Sequence, residues 1–284
     1  MTSPGKRFRG LRRMRMGLAT VLGIRPQGFF IPYRYAGRRA PSQPAYPALE
    51  RLLRREEAGF ADLLAGIDDF AEELEGLGRE PPPAPRWTQD WFPRLDAAAL
   101  YTVVRRIRPA TVVEVGAGHS TRFLARAIAD GGFPSRVRVI DPAPRATLEG
   151  LAIELVKVPL EQAGAPAFAI LSAGDILSID SSHVLMPGTD VDVLLNRVVP
   201  DLPPGVLLHV HDVFLPDDYP AAWAWRGYNE QLGIAALIQG GGFRVLWSSH
   251  YVRSRLSSVL RDTVIARLPL LPGAHESSLW LEKS

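Results

Sequence analysis

TVVEVGAGHST, residues 111–121, is the stretch on which the reading of this chain turns. A β-branched run from Thr111 to Val115 stops at two glycines one residue apart, and Ser120 and Thr121 then open an amphipathic stretch. That order predicts a buried strand, a tight turn and a helix. Glycines let the backbone bend sharply and come close to a ligand, while the helix start offers N–H groups with no intrahelical partner. Gly116, Gly118, Ser120 and Thr121 are therefore candidate ligand contacts. The third glycine of a dinucleotide fingerprint is missing, since Phe123 and Leu124 stand in its place, and no Gly-Lys-Ser/Thr of a phosphate loop follows.

Working outward, short β-branched runs at 137–140, 155–158, 176–179 and 206–210 alternate with helical stretches, and two more strand candidates follow at 243–247 and 278–281. The alternation predicts an α/β fold, a doubly wound and mostly parallel sheet with helices on both faces. Asp141 closes the second run, where an acid can accept hydrogen bonds from both ribose hydroxyls of a nucleoside. It reads equally as a turn aspartate before Pro142. Upstream, apolar residues recur at helical spacing over 46–77 and again over 96–107, with Pro81, Pro82, Pro83 and Pro85 between them. Three parts follow: an arm over 1–45, a helical extension with a Pro-rich linker over 46–86, and a main domain over 87–284.

The motifs resemble those of class I S-adenosylmethionine-dependent methyltransferases. Their finer pattern is similar to the bacterial methyltransferase domain 24 family, through Glu114–Thr121, Gly174–His183, His209–Pro220 and Tyr228–Gln231. The resemblance implies a Rossmann-like, seven-stranded sheet with an antiparallel last strand. It further implies S-adenosylmethionine as cofactor, with Gly116 and Gly118 admitting its methionine part, Glu114 near its amino group and Asp141 on its ribose. Glu161 or Gln162 stands where an adenine contact is expected.

Asp180 and His183 follow the fourth strand run, and His209, His211 and Asp212 end the fifth. Ligands of such sheets sit beyond the carboxyl ends of the strands, so both clusters should face the glycine turn, with Asp180 close enough to touch the cofactor. Two chemistries suit them. His183 or His211 can act as general base on an acceptor hydroxyl or amine, oriented by a carboxylate such as Asp212. Alternatively Asp180, His211 and Asp212 bind a divalent metal, as carboxylates do in catechol O-methyltransferase-like enzymes, with imidazole favouring a transition metal. Either histidine of the 209/211 pair can instead be a buried structural bridge. Trp223, Trp225 and Tyr228, with Asn229 and Glu230, line an acceptor pocket or simply pack on the sheet.

Composition narrows the classes. The chain has 284 residues, no cysteine and a formal net charge of +3, so thiol nucleophiles, Cys-ligated metals and disulfides are excluded. Residues 1–49 carry ten basic side chains (Lys6, Arg7, Arg9, Arg12, Arg13, Arg15, Arg25, Arg34, Arg38 and Arg39) and no acid, which leaves −7 for the remainder. Met16–Ile24 is apolar enough for an export-signal core, but Arg25 and Pro26 follow it, so a short helix and a cytoplasmic protein are expected. The basic arm is suited to a peripheral membrane contact or to a partner, and 28–35 to a packed strip or a lid. A nucleic-acid acceptor is disfavoured by the acidic body and by the missing Asn/Asp-Pro-Pro-Tyr motif. The leading expectation is methyl transfer to a small-molecule acceptor. A nucleotide-linked dehydrogenase and a non-catalytic methyltransferase-like binding module are the alternatives.

Overall fold

The computed structural model describes residues 4–38, 40 and 43–284, with side chains from Gly10 onward. Arg39 and the side chains of Lys6, Arg7 and Arg9 lie outside the described residues. The chain divides into two compact units, 1–41 and 42–284.

In the first unit, helix α1 (Pro4–Val21) reaches further back than the expected 16–24 and takes in the arginine-rich stretch. Arginine is a good helix former, and no proline interrupts the run until Pro26. Leu11, Met14 and Leu18 are exposed on it, as are Phe29, Phe30, Ile31 and Tyr33 beyond it. No described helix is long and apolar enough to cross a membrane.

The second unit begins with α2 (Pro47–Arg55), α3 (Glu57–Asp68) and α4 (Ala71–Gly76). Leu49, Leu53, Phe60 and Ile67 are buried at the spacing of one helix face. α5 (Arg94–Ile107) is buried along nearly its whole length and ends where Arg108 turns into the left-handed region. The sheet then builds from β1 (Thr111–Val115), α6 (His119–Gly131), β2 (Arg136–Ile140), β3 (Glu154–Val156), α7 (Leu160–Ala163), β4 (Ile176–Ile179), α8 (Asp190–Val193), β5 (Leu207–Val210), α9 (Glu230–Gln239), β6 (Phe243–Ser248), α10 (Ser249–Arg255) and β7 (Leu279–Lys283).

Strand order is β3-β2-β1-β4-β5-β7-β6, with β7 antiparallel to both neighbours and the other pairings parallel. This is the Rossmann-like, seven-stranded order with an antiparallel last strand that the resemblance implies. β4 and β5 are buried at every residue, as expected of strands covered by helices on both faces. β3 is three residues long, shorter than the 155–158 run suggests, because Val158 turns back to bond the Val156 carbonyl.

The order reverses between β1 and β4, so their carboxyl ends splay apart and leave a crevice. Backbone pairing runs one residue past each strand: Asp180 N–H donates to the Val115 carbonyl at 2.9 Å, and His211 N–H to that of Ile179 at 2.9 Å. The ends of β1, β4 and β5 are thereby held at one rim.

Candidate active site

A cavity of about 770 Å³ opens at that rim. Gly116, Ala117, Gly118, Ser120 and Asp141 line one side; His183, His211, Asp212, Trp223, Arg226 and Tyr228 line another, with Asp180 between them.

The glycine turn is held from beneath. Gly118 N–H donates to Thr121 Oγ1 at 3.0 Å, and that hydroxyl donates to Glu114 Oε2 at 2.6 Å. Glu114 and Thr121 are fully buried and do not line the cavity. Burial pushes the Glu114 carboxyl up to about 7, and its Oε1 has no partner. The two therefore brace the turn from beneath.

The two glycines differ. Gly116 has φ +87°, and a Cβ there would lie 1.8 Å from the Asp180 carbonyl oxygen. A Cβ on Gly118 would meet nothing within 4 Å. Asp141 accepts from Ala117 N–H and from Ala143 N–H, both at 2.7 Å, so one carboxylate ties the turn to the end of β2. Its turn role and its place on the cavity wall thus coexist. Glu161 lines the cavity as well; Gln162 does not.

On the other side, four carboxylates surround two imidazoles. His183 Nδ1 bonds Glu230 Oε2 at 2.8 Å, while its Nε2 lies 3.3 Å from Asp180 Oδ1 and 3.5 Å from Asp212 Oδ2. His211 Nε2 bonds Asp96 Oδ2 at 3.2 Å, while its Nδ1 lies 3.6 Å from both Asp180 and Asp212. Each ring thus has one nitrogen tied to a buried carboxylate and one facing the Asp180–Asp212 pair. Although burial opposes the charge, the surrounding carboxylates hold both imidazoles well above the usual 6.5, and they in turn hold Asp180 far below the carboxylate range.

The sequence does not point to Asp96 or Glu230 in this role. Asp96 reads as an ordinary acid in the first turn of α5; in the fold it is fully buried and accepts from the Ser277 and Ser278 N–H groups of the segment entering β7. Glu230 reads as a pocket-lining group but lies behind His183. Asn229 brackets the backbone of Leu185 with bonds of 2.6 and 3.1 Å, which fixes the loop that carries His183. His209 is the structural bridge, joining Ser178 and Ser278 hydroxyls at 2.9 Å each, and burial lowers it to about 3. Among non-glycine residues with described backbone, only Arg108, His183 and Asp212 have positive φ. Two of the three are site residues, where the surroundings hold a conformation that costs about 1–3 kcal/mol.

Among the described residues no group of three or more His, Asp or Glu side chains is arranged to hold a metal ion. Asp180, His211 and Asp212 take part in the imidazole–carboxylate array.

Residues 113–213 match the family model described as a methyltransferase domain. No curated protein matches the chain with significance. Among solved structures it is similar to the SAH-bound methyltransferase PaMTH1 of Podospora anserina, at 14% identity over 90% of this chain and 99% of that one, with a TM-score of 0.43. It is also similar to the O-methyltransferase from Bacillus cereus in complex with SAH, at 11% identity over 78% and 91% of the two chains and a TM-score of 0.41. A third similar structure is the branched-chain polyamine synthase from Thermus thermophilus, at 19% identity over 75% and 63% and a TM-score of 0.41.

Proposed function

We propose that the chain, which carries a methyltransferase domain, methylates a hydroxyl or amine of a small molecule, with S-adenosylmethionine as donor and His183 as general base. One observation carries the reading: a single cavity joins the glycine turn and Asp141 to two carboxylate-backed imidazoles.

The residues present fit the cofactor. Gly118 leaves the cavity side of the turn clear where a Cβ would intrude, Ser120 offers the helix start, and Asp141 retains lone pairs on both oxygens for a diol. S-adenosylmethionine supplies a methyl group on a sulfonium, electrophilic enough for direct attack by oxygen or nitrogen. Everything else falls to the chain: holding acceptor and methyl carbon in line, keeping water out, and taking a proton. As the heteroatom–carbon bond forms and the sulfur–carbon bond breaks, the acceptor proton passes to His183 Nε2. Glu230, on Nδ1, orients the ring and stabilises the imidazolium that results. His211, with Asp96 behind it, holds Asp180 and Asp212 in place and supplies a compensating positive charge. His183 is favoured as base because the Tyr228 ring of the acceptor wall packs on it at 4.6 Å, whereas His211 packs on Phe92.

Calorimetry with S-adenosylmethionine and a mass-shift screen against hydroxylated and aminated metabolites test the reading. Cofactor binding and a gain of one methyl group on a small molecule are expected. Absence of cofactor binding, or binding with methylation only of protein or nucleic acid, would overturn it. The non-catalytic alternative predicts binding without transfer to any acceptor.

A further inference from the structure

The wall built from the short helical turn Ala221–Arg226 and from Tyr228 takes no part in the cofactor contacts proposed above. Arg226 lies against three rings, its guanidinium carbon 4.1 Å from the Trp223 centroid, 5.2 Å from Tyr228 and 5.5 Å from Trp225. Nη1 donates to the Tyr228 hydroxyl at 2.9 Å. No carboxylate of the described residues pairs with Arg226, and its Nε is screened from solvent without a hydrogen-bond partner. With Nη1 engaged, the Nε–Nη2 edge remains, which matches the two oxygens of a carboxylate in parallel. A buried donor left unpaired costs about 1–3 kcal/mol, so an anion seated on this edge relieves a standing penalty.

The position of that edge matters. The Tyr228 ring separates Arg226 from His183, with its hydroxyl on the guanidinium and its face 4.6 Å from the imidazole. The carboxylates nearby do not cancel the cation: Asp180 and Asp212 face the two imidazoles, and Asp190 is bonded to Ser182. Trp223 and Tyr228 meet at right angles, with centroids 6.0 Å apart, and both line the cavity, where aromatic surface suits a flat apolar ligand.

Resting on the methyl-transfer reading above, we propose that the acceptor is a planar aromatic acid. Its carboxylate docks on the Nε–Nη2 edge of Arg226, its ring lies along Trp223 and Tyr228, and its hydroxyl or amine reaches His183. Because Nε is screened from solvent, the rings packed on the guanidinium shift slightly to admit the carboxylate.

The test uses the full chain saturated with S-adenosylhomocysteine, titrated calorimetrically with protocatechuate, caffeate and gallate, and with the primary amide of each. At least one acid should bind tenfold or more tightly than its amide. Arg226→Gln should abolish that preference while leaving S-adenosylhomocysteine affinity unchanged, which also certifies the fold, and Arg226→Lys should restore it only in part. Equal binding of acids and amides, an acid preference that survives Arg226→Gln, or no binding by any of the three acids would overturn the proposal. Failure of S-adenosylhomocysteine itself to bind would strike the methyl-transfer reading instead, so the two failures are distinguishable.

Discussion

The two sides of the cavity are built on different plans. The glycine-turn side is made largely of main chain over one short stretch, 114–121, with Asp141 reaching across from the end of the next strand. The imidazole side is made almost entirely of side chains drawn from α5, the ends of β4 and β5, and the start of α9. A main-chain site needs only the right turn, and local residues specify it. A side-chain array of alternating charges exists only once the sheet has brought distant segments together. The seam is Gly116, whose missing Cβ makes room for the Asp180 carbonyl.

The largest effect should come from breaking the imidazole side alone. His183→Ala should lower kcat by about 10²–10⁴-fold, the usual worth of a positioned general base, with little change in cofactor affinity. Steady-state kinetics beside calorimetry check this. A comparable loss of cofactor affinity would mean that the two sides are not separable.

Breaking the seam comes next. Gly116→Ala combines a severe backbone clash with a disfavoured positive φ, so a stability loss of about 3 kcal/mol or more is expected. Gly118→Ala, which meets no atom and has extended φ, should keep wild-type Tm and still weaken cofactor binding by projecting into the cavity. Thermal melts of both variants, with and without S-adenosylhomocysteine, separate the glycine that the fold requires from the one that the ligand requires.

Within the glycine-turn side, Asp141→Ala should weaken S-adenosylmethionine binding about ten- to a hundredfold, as expected when one charge-assisted bidentate contact is lost. Because Asp141 also accepts two backbone N–H groups, Asp141→Asn distinguishes a loosened turn from a lost ribose contact. A melt unchanged in both variants with unchanged affinity would remove Asp141 from binding.

This division explains what could be read from residues alone. The turn, Asp141 and all seven strands follow from local patterns of period and composition. Asp96 did not: an acid one turn into a helix has an ordinary explanation, and its partner His211 lies 115 positions away. Glu114 stands in the motif where the sequence places it, and what residues alone do not show is that its carboxyl accepts from the Thr121 hydroxyl beneath the turn. His209 and His211 share a strand face, as alternation requires, yet only the second passes the strand end and reaches the rim. For Arg226, composition gives no hint that its edge lacks a partner.

The smallest effect is the most diagnostic, because it asks which imidazole takes the proton. Both His183 and His211 bind protons in the native state at pH values where the unfolded chain, at 6.5, has released them. Their contribution to stability is therefore fully present below that value and lost as pH rises through the raised native ones. The same rise creates the neutral imidazole that a base requires, so kcat should climb over the window in which Tm declines. Glu230→Gln removes the carboxylate on His183 Nδ1 and should move the limb of the kcat profile to lower pH. Asp96→Asn removes its counterpart on His211 and should leave that limb in place while shifting only the Tm profile. If Asp96→Asn moves the kcat limb and Glu230→Gln does not, His211 is the base, and the acceptor then lies against Phe92 rather than along Tyr228.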